Sequence, residues 1–154
     1  MGKAPLACQK YPTQFISIVK NYHATIMVVE DDPNDQFLIE KAFRSIGVIE
    51  PIQIVGDGAE AIAYMAGDGK YSDRQKYTYP TFIITDLKMP RADGFAVLEF
   101  LKTNPDWRVI PTIVLTASSD PDDIKKSSLV GACSYHVMPQ SQEELRNQLA
   151  VIDA

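Results

Sequence analysis

Ile26-Met27-Val28-Val29-Glu30-Asp31-Asp32 and Phe82-Ile83-Ile84-Thr85-Asp86 decide the fold. Each is a short, nearly continuous apolar run that ends in acid, which is how a strand covered on both faces reads. If both are strands of one parallel sheet, their carboxylates collect at the same end of it. Two such charges about 4 Å apart repel by roughly 4 kcal/mol at an effective dielectric near 20. A cation relieves that repulsion, and an oxygen-only ligand set of this kind suits magnesium. The two stretches therefore predict a metal-dependent site at the carboxyl edge of a sheet.

Working outward, further strand candidates are Ile52 to Val55, Thr112 to Thr116 and Ser134 to Val137, flanking Thr25 to Glu30 and Thr81 to Asp86. Helical stretches separate them, and such alternation implies a parallel sheet with helices on both faces. Helix starts are signalled by Asp32-Pro33, by Asp120-Pro121 and by the capping box Ser141-Gln142-Glu143-Glu144. The first helix carries Phe37, Ile39, Ala42, Phe43 and Ile46 up to Gly47. Others are expected over Gly58 to Ala66, Gly94 to Lys102, Ile124 to Val130 and Leu145 to Ile152. The expectation is an α/β domain, a doubly wound five-stranded parallel sheet built as a (βα)5 unit.

Asp86 runs into Leu87-Lys88-Met89-Pro90-Arg91-Ala92-Asp93-Gly94, and the strand Thr112 to Leu115 ends in Thr116-Ala117. With Glu30-Asp31 these elements, in this order, resemble the receiver domain of two-component response regulators. The resemblance covers about residues 25 to 152 and implies the flavodoxin-like strand order 2-1-3-4-5, which sets the first and third strands side by side at the switch point. It makes Asp86 the phosphate acceptor. It implies Mg2+ held by Asp31, Asp86 and the backbone carbonyl of Lys88, with Glu30 reaching through water. Thr116 would donate its hydroxyl to a phosphoryl oxygen, and Thr116 with Tyr135 would form the switch. One element departs from the pattern: Tyr135 and Pro139 match, but Met138 stands where the family has a lysine. That lysine supplies a charge-assisted bond of about 1.5 to 3 kcal/mol, which methionine cannot make. Lys88 is a candidate to supply the cation instead. A cis Met138-Pro139 bond is also part of the family pattern.

At 154 residues, with 45% hydrophobic and 23% charged residues, the chain suits one domain with an ordinary core. A net charge of −5 argues against nonspecific nucleic-acid binding, which depends on neutralising phosphates. Cys8 and Cys133 lack metal-ligand spacing and read as reduced thiols. The apolar runs fall well short of the roughly 20 residues that cross a bilayer. Neither a signal peptide nor a myristoylation signal fits the start, so the expected location is cytoplasmic, with no membrane partner. Residues 1–24 are read as an N-terminal extension, with Phe15, Ile18, Val19 and Tyr22 at helical spacing, or equally an unstructured leader. Residues 25–154 are read as the receiver domain.

Gly67 to Tyr79 is longer than the roughly 2 to 6 residues usual between such elements and reads as a mobile surface loop. It is similar to the extended loop of small stand-alone response regulators that partner phytochrome-type kinases. Gly56-Asp57-Gly58-Ala59-Glu60-Ala61 imitates a dinucleotide fingerprint, but no acidic residue ends a following strand about 20 residues on. No glycine-rich loop ending in Lys-Ser or Lys-Thr is present, and His23 and His136 lie far from any nucleophile pattern. A phosphoaspartyl hydrolase would need a second acid where Lys88 stands.

The function implied is that of a single-domain response regulator. It accepts a phosphoryl group from a histidine kinase, phytochrome-like on the loop's evidence, onto Asp86. It signals to a downstream protein target through contacts, with a homodimer or target face over residues 120–154. At most it catalyses its own phosphotransfer and dephosphorylation. The alternative is a degenerate receiver, an interaction module that takes no phosphate. Retained acids favour the first reading, and the missing lysine favours the second.

Overall fold

The computed structural model describes residues 25–152, so the expectations for the N-terminal extension lie outside the described residues. The strands are β1 Ile26–Val29, β2 Ile52–Val55, β3 Phe82–Thr85, β4 Thr112–Thr116 and β5 Ser134–Val137. All pair in parallel, in the order β2-β1-β3-β4-β5, as expected. The helices are α1 Pro33–Ser45, α2 Gly58–Ala66, α3 Gly94–Lys102, α4 Pro121–Leu129 and α5 Gln142–Ile152. The last two begin earlier than the apolar periodicity predicts. Their caps set the start: Asp120 accepts from the Asp122 N–H at 2.9 Å and Ser141 from that of Glu144 at 3.1 Å. Asp57 and Asp93 cap α2 and α3 in the same way, each such cap contributing about 1 kcal/mol.

Strand alternation divides the core into layers. Ile26, Val28, Phe82, Ile84, Ile113 and Leu115 face Ile39, Ala42 and Phe43 of α1 and Leu145 and Leu149 of α5. Met27, Val29 and Ile83 face Ala61, Tyr64 and Met65 of α2 and Val97 and Leu101 of α3. A third cluster joins Leu87, Phe95, Leu98, Val114 and Ala132, with Tyr135 packed against it. All four residues of β1 and of β3 are buried. These two strands lie in register, Val29 opposite Thr85, so the residue that follows each emerges at the same edge.

Three expectations change. The segment after α2 is anchored rather than mobile. Gly67 ends α2 at φ 76° and a 3-10 turn follows over Gly69–Ser72. Tyr71 is buried there against Tyr64 and Tyr77, with ring centroids 4.9 Å from each. The Tyr64 hydroxyl donates to the Thr78 carbonyl at 2.6 Å, and Arg74 donates to that of Met65 at 2.8 Å while lying over the Tyr79 ring. Aromatic burial supplies what the polar composition concealed. Second, Met138-Pro139 is trans, no described peptide being cis, and the Met138 side chain packs against the α1/α5 core. A methionine buries its chain where a lysine would keep an ammonium in a polar setting. Third, Cys133 is not a free thiol but disulfide-bonded, a pairing for which spacing gives no signal, and Cys8 lies outside the described residues. No helix among the described residues is long and apolar enough to cross a membrane.

Candidate metal and phosphoacceptor site

Glu30 and Asp31 follow β1 and Asp86 follows β3. Their backbones are fixed by sheet hydrogen bonds, Glu30 N–H to the Val55 carbonyl at 3.0 Å and Asp86 N–H to that of Val29 at 2.9 Å. One carboxylate oxygen from each of Glu30, Asp31 and Asp86 lies within 4.8 Å of the others. Glu30 is buried, Asp86 half-buried and Asp31 exposed, so the cluster opens outward. Burial first, then the neighbouring Asp86 charge, pushes the Glu30 carboxyl up to about 8, although a bond from the Asp32 N–H at 3.1 Å pulls the other way. Asp35, in the first turn of α1, is raised as well, by burial and by Asp32, Asp86 and Asp31. The cluster holds more negative charge than its surroundings neutralise, and its donors are hard oxygens converging on one point. These residues fit a magnesium-sized cation.

The loop from Asp86 to Gly94 is held by contacts that only glycine permits. A Cβ on Gly94 would lie 2.1 Å from the Asp86 carbonyl oxygen, and the Gly94 N–H donates to the Leu87 carbonyl at 2.8 Å. On the far side, Gly58 N–H donates to the Ala92 carbonyl at 3.0 Å, and a Cβ there would lie 2.3 Å from the same oxygen. Arg91, at φ 67°, pairs with Asp57 at 2.9 Å. The apparent dinucleotide fingerprint is thus explained: Asp57 caps α2 and grips Arg91, and Gly58 admits the loop. Sequence reasoning missed Arg91 and Asp57 as loop anchors. The Gly-Asp-Gly signal was visible and its dinucleotide reading was set aside, but nothing local to it pointed to the Arg91 loop.

Thr116 ends β4, buried, and its hydroxyl oxygen accepts from the Ser118 N–H at 3.4 Å. Tyr135 on β5 is half-buried and donates its hydroxyl to the Ser118 carbonyl at 2.6 Å. Thr116 and Tyr135 therefore meet through Ser118, a residue that the sequence did not single out. Lys88 extends away along the surface, its ammonium 3.9 Å from Asp123 in the first turn of α4. Met138 brings no cation to the group, its side chain lying in the α1/α5 layer. His136 sits on β5 beside Ser134 at 3.0 Å, and burial lowers its pKa.

A family model for the response regulator receiver domain matches residues 26–150. The response regulator Rcp1 of Synechocystis sp. is 34% identical over 129 residues, covering 84% of this chain and 86% of that protein. Among solved structures, the phosphorylated cyanobacterial phytochrome response regulator RcpA superposes with a TM-score of 0.75 at 31% identity, over 85% of this chain and 89% of that one. The Mn2+-bound form of Rcp1 superposes with a TM-score of 0.73 at 28% identity, over 84% and 89%. An acidic cluster at the switch point of a 2-1-3-4-5 sheet, Thr116 and Tyr135 on the neighbouring strands, and these likenesses agree: the chain belongs to the response regulator receiver domain family of two-component systems.

Proposed function

We propose that the protein is a response regulator that takes a phosphoryl group from the phosphohistidine of a histidine kinase onto Asp86. The observation that carries this reading is the convergence of Glu30, Asp31 and Asp86 within 4.8 Å beside the register-matched ends of β1 and β3. Asp31, Asp86 and the carbonyl of Lys88 would hold Mg2+, with Glu30 acting through water. When bound, the ion neutralises negative charge on the transferring group, the main requirement of phosphoryl transfer. Asp86 is the nucleophile, half-exposed and fixed by its own Oδ1 accepting from the Leu87 N–H at 2.7 Å. Thr116 would turn its hydroxyl to a phosphoryl oxygen, and Lys88 would supply the ammonium that Met138 does not.

Likeness to the phytochrome response regulator RcpA supports a phytochrome-type kinase as donor, in the cytoplasm. Ile124, Leu129 and Val137 are exposed at 40%, 70% and 43%, which supports the 120–154 face as the surface for a target or a second copy. The packing of Met138 into the core favours the second reading, a degenerate receiver that signals by binding alone. Intact mass after incubation with phosphoramidate and Mg2+ separates the two. Wild type should gain one phosphoryl mass and Asp86→Asn none. An unmodified wild type selects the degenerate reading.

A further inference from the structure

Two cations lie on the loop that follows Asp86. Arg91 is committed to Asp57 at 2.9 Å. Lys88 is not: its side chain is 74% exposed and its ion-pair partner, Asp123, is 3.9 Å away, a long contact on the surface. The Asp123 oxygen that faces Lys88, Oδ2, also accepts from the Ser118 hydroxyl at 2.7 Å. Ser118 in turn contacts both switch candidates, through its N–H to Thr116 and its carbonyl to Tyr135. A single chain of contacts thus runs from Lys88 through Asp123 and Ser118 to Thr116 and Tyr135.

We propose that Asp123 is a positioning residue for Lys88: at rest it holds Lys88 away from Asp86, and phosphorylation draws Lys88 across and releases Ser118. This rests on the reading of Asp86 as acceptor and adds the device that couples it to α4. In the transfer, an Asp86 oxygen forms the O–P bond as the donor's P–N bond breaks, and the leaving nitrogen takes a proton from solvent. Lys88 keeps its proton and donates a hydrogen bond to a phosphoryl oxygen. The phosphoryl group carries about −1.5 to −2 charge, where Asp123 offers one negative charge. The weak resting pair gives way to the stronger, charge-assisted one. Once Lys88 leaves, the Asp123 carboxylate loses its counter-charge, and the Ser118 contacts that tie Thr116 to Tyr135 are free to rearrange.

The test is the rate of phosphoryl incorporation from phosphoramidate with Mg2+, read by intact mass, in wild type, Asp123→Asn, Lys88→Ala and the double variant. Asparagine keeps an oxygen for Ser118 and removes the charge that restrains Lys88. Asp123→Asn should speed incorporation about 1.5- to 5-fold, the range that an exposed ion pair accounts for. Lys88→Ala should slow it, and Asp123→Asn should then add nothing. Asp123→Glu, which keeps the carboxylate, should stay at the wild-type rate. Asp123→Ser repeats the experiment by a second route if the asparagine variant folds poorly. A gain of equal size without Lys88, or no gain with it, overturns the proposal while leaving Asp86 as acceptor. A wild type that takes no phosphoryl group overturns both.

Discussion

Replacing Glu30 with glutamine isolates the buried acid and turns its environment into a measurable slope. Glu30 is 4% exposed, and burial followed by the Asp86 charge raises its carboxyl from 4.5 to about 8. Between those values the folded protein carries a proton that the unfolded chain has released. Unfolding free energy must therefore fall as pH rises through the window, by up to about 1.4 kcal/mol per pH unit. Between pH 5.5 and 7.5 the contribution of this single group is a loss on the order of a few kcal/mol. Glutamine cannot titrate, so urea melts of Glu30→Gln without metal should lack that loss, and the variant should be the more stable protein at pH 7.5. The difference between the two proteins cancels the common background, including His136, whose burial-lowered pKa gives the opposite slope below about 6.5. Added metal supplies a second arm. If binding near 1 mM requires an ionised Glu30, which is half ionised at pH 8, 10 mM Mg2+ stabilises wild type by about 1 kcal/mol at pH 8 and by less than about 0.2 kcal/mol at pH 6. The glutamine variant, with no carboxylate to ionise, should show little metal gain at either pH. Parallel pH profiles for wild type and variant, within about 0.5 kcal/mol, would refute the claim that Glu30 is held neutral at rest.

Two further outcomes follow from contacts around the loop. Gly94→Ala places a methyl carbon 2.1 Å from the Asp86 carbonyl oxygen, so the backbone must move; a loss of about 1 to 3 kcal/mol in thermal stability and a fall in phosphoryl incorporation at Asp86 are expected, and an unaltered melting curve contradicts the close packing. Met138→Lys removes a half-buried side chain that packs against the α1/α5 core, with a stability cost of about 1 to 3 kcal/mol; incorporation should nonetheless rise as the new ammonium reaches the phosphoryl group, and an equal rate in both proteins would mean that this cation is not limiting.

The order of apolar runs, acids and caps was enough to place every strand, the helix starts at Gly58 and Gly94, and the caps at Asp32, Asp120 and Ser141. The physical reason is local: strands buried on both faces must be apolar throughout, and a helix that begins needs a side-chain acceptor for its free N–H groups. The same logic brought Glu30, Asp31 and Asp86 together before any coordinates, because parallel strands deliver their ends to one edge. Where sequence reading failed, the deciding contacts are between residues far apart in the chain. Nothing local shows that Gly58 lies under the Ala92 carbonyl or that Asp57 grips Arg91, so the sequence could set the dinucleotide reading of this stretch aside without showing what the glycine packs against. Tyr71 and Tyr77 look like residues of a polar loop until the fold packs their rings at an angle against each other and against Tyr64 of α2. The direction of Lys88 toward Asp123 and of Met138 into the core is likewise a product of tertiary packing. Sequence supplies the groups and the strand ends that carry them; which charges face one another is set only when α4 and β5 close against the sheet.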